Sequence, residues 1–108
     1  MINILGTEYE LLENVSVEEC KHLEKVGAFT DTSIKKIIIG EYGFDDSTIK
    51  NLNSHIRKVK RHEIIHAILF ESGLDCNTDW ATNEEIIDWI AIQYPKLKKI
   101  YEELNIEE

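Results

Sequence analysis

The chain has 108 residues, 43% of them hydrophobic and 31% charged, a balance that fits one folded domain over residues 1–108 and excludes a disordered or fibrous chain. Twenty-one acidic residues against twelve basic ones give a formal charge of -9, which opposes the phosphate neutralisation behind most nucleic-acid affinity, so no nucleic-acid partner is expected. The longest nearly apolar run, Ile64 to Phe70, is far short of the about 20 residues that cross a bilayer, and Met1 to Gly6 lacks the basic start of a secretory signal. A cytoplasmic protein without a membrane partner is expected.

In chain order, Ile2, Ile4, Tyr9 and Leu11 alternate with polar neighbours and predict a strand, or a bent pair of strands around Gly6. Ser16 and Glu19 have capping-box spacing, which predicts a short helix from Val17 to Lys25 with Leu23 and Val26 facing inward. Ala28 through Ile39 is rich in Ile, Thr and Phe and reads as a hairpin turning at Asp31-Thr32. The loop from Tyr42 to Asp46, with Asp46 or Ser47 as a cap, leads into a long helix.

That helix carries an apolar stripe of Ile49, Leu52, Ile56 and Val59, whose three-four spacing continues onto Glu63, His66 and Phe70. Polar residues thus fall where leucine or valine is expected. The helix is predicted to end near Gly73. Thr82 and Glu85 form a second capping box for a helix to about Tyr94, and Pro95 fits the first turn of a final helix to about Leu104. Trp80 and Trp89 are expected to pack in the core. The fold class is therefore α+β, a small, mostly antiparallel sheet beside one long helix and two C-terminal helices.

His62-Glu63-Ile64-Ile65-His66 carries the chemistry. Residues four apart stack on one helix face, so two imidazoles can meet one tetrahedral cation, while the glutamate between them is turned aside and can take a proton from an attacking water. Five such letters arise by chance in roughly two of a hundred chains of this composition, so their position on the buried stripe carries more weight than the letters. A catalytic zinc wants a third protein ligand. Asn83-Glu84-Glu85-Ile86-Ile87-Asp88 offers one: Glu84 and Asp88 are also four apart, and Glu84 is preferred to Glu85, which the capping box occupies. Cys76 is a further possible ligand, but thiolates bind in spaced sets, and Cys20 and Cys76 read as reduced thiols. His55, Tyr42 and Tyr94 are candidate donors to a substrate carbonyl, the strand from Ile34 to Ile39 is a candidate edge for a bound peptide, and His22 reads as surface.

The pair His62-Glu63-x-x-His66 and Asn83-Glu84-x-x-x-Asp88 resembles the zincin metallopeptidases of the glutamate-ligand branch, to which thermolysin belongs. The fuller chain, with Leu5-Gly6-Thr7-Glu8-Tyr9, Gly27-Ala28-Phe29-Thr30-Asp31 and Arg61 to Ala67 leading into Glu71-Ser72-Gly73-Leu74, is similar to small zincin-like proteins of phages and prophages in Gram-positive bacteria. The resemblance implies a minimal zincin core that holds one Zn2+ on His62, His66 and Glu84. It implies Glu63 as general base, Asp88 supporting a zinc-bound histidine, and a protein or peptide as substrate. The competing expectation is a module without catalysis, stapled by its metal, that regulates or binds another protein.

Overall fold

The computed structural model describes residues 1–42 and 51–108. Strands β1 (Ile2–Ile4), β2 (Thr7–Val15), β3 (Ala28–Asp31) and β4 (Lys36–Gly40) form one sheet in the order β1-β2-β4-β3, and helices α1 (Leu52–Glu71) and α2 (Glu84–Glu103) complete an α+β fold. β1 with β2 and β3 with β4 are antiparallel, whereas β2 and β4 run parallel. The expected bend at Gly6 is a two-residue hairpin loop in which Leu5 has φ 50° and Gly6 φ 95°, values of the turn type that matches strand twist. Asp31 Oδ1 accepts from the backbone N–H of Ser33 and ends β3 in a side-chain-capped turn over residues 32–35, just after the expected Asp31-Thr32.

Period-two alternation decides which side chains reach the helix. Ile37 and Ile39 of β4, Tyr9 of β2 and Ile4 of β1 are buried against Ala67 of α1, with Val59 and Ile64 packed around them. Each buried isoleucine contributes roughly 1.5–3 kcal/mol of transfer free energy. On the same face, Ala28 pairs with Ile39 and Thr30 with Ile37, so Thr30 is carried under α1. The other flank of α1 meets α2 through a second core of Leu69, Ala81, Ile87 and Ile65.

Several local expectations give way to tertiary contacts. Ser16 Oγ does accept from Glu19 N–H at 3.2 Å, but Val17 to Lys25 forms turns and a 3-10 segment at Lys21–Glu24 rather than a helix, with Leu23 half-buried and Val26 exposed. The loop from Tyr42 to Asp46, the Asp46 or Ser47 cap and Ile49 fall, beyond Tyr42, outside the described residues; α1 is capped by Asn51, whose side chain accepts from Ser54 N–H. Asn83, not Thr82, caps α2 by accepting from Ile86 N–H at 3.0 Å.

The two expected C-terminal helices are one. Pro95 lies inside α2 and has no N–H for the Ala91 carbonyl, yet that carbonyl accepts from Arg61 Nε at 2.8 Å. A donor from the neighbouring helix removes the cost of the missing hydrogen bond, and α2 runs on. Trp80, in the 3-10 segment Trp80–Thr82, and Trp89 are 42% and 59% exposed rather than core; Trp89 is so because the buried line of α2 runs through Ile87 and Ala91. No helix among the described residues is long and apolar enough to cross a membrane.

Candidate metal centre

α1 places His62 and His66 one turn apart, and the N-terminal turns of α2 bring Glu84 and Asp88 against them. His62 Nε2 lies 2.9 Å from Glu84 Oε2, His66 Nε2 lies 2.9 Å from Glu84 Oε1, and the two imidazole nitrogens are 3.2 Å apart. Ligands held 2.0–2.1 Å from a tetrahedral zinc are separated from one another by about 3.3 Å. The three side chains therefore already stand near the spacing that such an ion requires. Among the described residues they are the one group of three or more such side chains close enough to share an ion.

His62 Nδ1 is 3.0 Å from Asp88 Oδ1, and a carboxylate only accepts, so the ring proton sits on Nδ1. A neutral His62 then presents a bare Nε2 lone pair to the Glu84 carboxylate. Two acceptors facing each other at 2.9 Å repel unless the ring takes a second proton or a cation lies between them. The donor set thus fits a divalent metal, with Asp88 fixing tautomer and ring orientation as carboxylate partners of ligating histidines do. Lys58 Nζ also reaches Asp88 Oδ1, at 3.3 Å. Burial works to raise the Asp88 carboxyl, but the bonds from His62 and Lys58 outweigh it and hold the group below its ordinary value.

Glu63 is turned away from this cluster and is 8% exposed. The burial is tolerable because Thr30 Oγ1 lies 2.9 Å from both Glu63 Oε1 and the Glu63 carbonyl, and its single hydroxyl proton is shared between these two acceptors. Glu63 borders two openings, one of about 530 Å³ shared with His66 and Glu84 and one of about 270 Å³ shared with His62, Glu84 and Tyr42. Burial, then the charge of Glu63, raises the pKa of the Tyr42 phenol, which keeps it a donor. A Cβ at residue 27 would stand 2.6 Å from the Tyr42 hydroxyl, so only glycine there lets Tyr42 approach.

His62, His66, Glu84 and Asp88 are thus brought together, with Glu63 at the cleft floor beside them. Glu85 is exposed on the first turn of α2 and outside the cluster, as is the free thiol of Cys76. Tyr94 lies with Arg61 in an apolar groove between the helices, away from the histidines. His55 packs edge-on to Tyr42, and the exposed His22 packs edge-on to Phe29. The Ile34 to Ile39 segment offers no edge: β4 is an inner strand, hydrogen-bonded by β2 and β3, and the strand edge beside the cleft belongs to β3. Thr30, Lys58 and Asp75 are additions that sequence reasoning missed. Of these only Thr30 had a signal, the alternation that sets it with Ala28 on one face of β3. No family model matches the chain, and no curated protein or solved structure is significantly similar to it.

Proposed function

We propose that the chain is a zinc-dependent hydrolase of peptide bonds, with His62, His66 and Glu84 as ligands and Glu63 as general base. The observation that carries this reading is the convergence of two imidazole nitrogens and a carboxylate within hydrogen-bonding distance of one another, beside a buried carboxylate that takes no part in the cluster. Zinc held there would polarise the scissile carbonyl and acidify the attacking water.

The remaining steps fall to the chain's own residues. Glu63, oriented by Thr30, takes the water's proton and passes it to the departing amine. Asp88 keeps the His62 proton on Nδ1. Tyr42 is the donor best placed for the carbonyl oxygen as it gains charge. A peptide substrate adds as a strand along Ala28–Asp31, whose outer edge runs beside the cleft. The charge of -9 argues against a nucleic-acid substrate, and the cytoplasm is the compartment that suits two free cysteines.

The exposed Trp89 and Ile92 on α2 favour a second reading, a metal-stapled module that binds another protein through that face. Glu63→Gln separates the two. Peptide cleavage lowered about 10²–10⁴-fold with zinc and fold retained supports the hydrolase. A partner interaction indifferent to the change, with no cleavage by the wild type, supports the binding module.

A further inference from the structure

We infer that the larger opening beside the histidines selects a cationic side chain, so that the preferred peptide carries lysine or arginine next to the bond cleaved. The inference rests on the hydrolase reading and adds its substrate class.

Three carboxylates, those of Glu63, Glu84 and Asp75, line this opening, and among the described residues no lysine or arginine does. Glu84 is committed to the metal and Glu63 to the proton. Asp75 has no such task. Its one side-chain hydrogen bond among the described residues is from the weak donor Cys76 Sγ at 3.8 Å.

Asp75 is nonetheless held in place. α1 ends at Glu71, the chain turns at Gly73, which takes φ 83°, and the Asp75 N–H donates back to the Leu69 carbonyl at 3.2 Å. Asn77 Nδ2 donates to the Gly73 carbonyl at 2.8 Å and Thr78 Oγ1 to the Leu74 carbonyl at 2.6 Å, which braces the loop on both sides of it. A carboxylate on a braced loop keeps its position without a protein cation to hold it.

Val26, Ala28 and Phe29 supply the apolar part of the lining. Lysine and arginine are the side chains with matching parts, an apolar stem for that wall and a charged head for Asp75. The smaller opening is also lined by three carboxylates, Glu63, Glu84 and Asp88, but it holds Lys58, which pairs with Asp88 and neutralises the one that has no counterpart in the larger opening. The two sides of the metal site are therefore electrostatically unlike, and the chain's overall charge of -9 adds long-range attraction for a cationic peptide.

The test is calorimetric titration of the zinc-loaded protein with lysyl, leucyl and glutamyl peptide hydroxamates, metal-seeking probes that need no turnover. The lysyl probe is expected to bind about fivefold more tightly than the leucyl one, with the glutamyl probe weakest. Asp75→Asn should bring the lysyl affinity down to the leucyl value with zinc still bound. Asp79→Asn, which removes an equal charge farther along the same loop, should leave the preference standing. Equal affinities for the three probes overturn the inference, as does a preference that survives Asp75→Asn or disappears with Asp79→Asn. Failure of the underlying reading looks different: no zinc is taken up, or none of the probes binds the loaded protein, and both proposals fall together.

Discussion

Arg61 Nε donates to the carbonyl of Ala91 at 2.8 Å, in place of the amide hydrogen that Pro95 lacks. Arg61 precedes His62 and Ala91 lies less than one turn beyond Asp88, so the same bond that lets α2 continue also docks it where Asp88 meets His62. Removing the donor leaves a carbonyl orphaned on a fully buried residue. Arg61→Met should therefore lower stability by about 1–3 kcal/mol in urea denaturation. In a Pro95→Ala background, where residue 95 regains its N–H, the same change should cost less, by about 1 kcal/mol. Equal costs in both backgrounds would mean that Arg61 acts through something other than this carbonyl.

That bond also shows why sequence reading misplaced a helix boundary. Proline at 95 is a sound local signal to stop, and only a side chain thirty-four positions earlier overrides it. His62, His66, Glu84 and Asp88 were legible because helical period alone stacks residues four apart. That α2 would lie across α1 with its N-terminal turns at the histidines was a matter of packing between distant segments, and spacing is silent on it. The size of Trp89 argues for core, but Ile87 and Ala91 already fill the inward line of α2 and residue 89 points off it. Thr30 stands out less for the opposite reason, since a threonine in a strand has an ordinary local explanation.

Asp88 should matter to metal affinity rather than to fold. Asp88→Asn keeps an oxygen that can accept from His62 Nδ1 but removes the charge that would make His62 a stronger metal ligand. Zinc affinity, read by competition with a chromophoric chelator, is expected to fall about 10–100-fold with little change in circular dichroism. Unchanged affinity would remove Asp88 from the site's account.

A separate network sets the acid limit of the fold. Glu71 accepts from Tyr9 Oη at 2.7 Å, Thr7 Oγ1 at 2.8 Å and Lys35 Nζ at 2.9 Å. The bond from Tyr9, then those from Lys35 and Thr7, lower the Glu71 carboxyl from 4.5 to about 2. A carboxyl whose folded pKa lies below its unfolded value contributes stability that is fully present above pH 4.5 and is lost as pH falls toward 2. Urea midpoints should decline through that window, and Glu71→Gln should flatten the decline while lowering the midpoint at pH 7. A decline of the same size in the variant would assign the acid sensitivity elsewhere.

Metal content tests whether His62, His66 and Glu84 hold an ion. Wild-type protein purified with zinc supplied, then dialysed, should carry about one zinc per chain by mass spectrometry, while His66→Ala and Glu84→Ala, each folded by circular dichroism, should carry none. No zinc in the wild type, or zinc retained in both variants, would contradict the account.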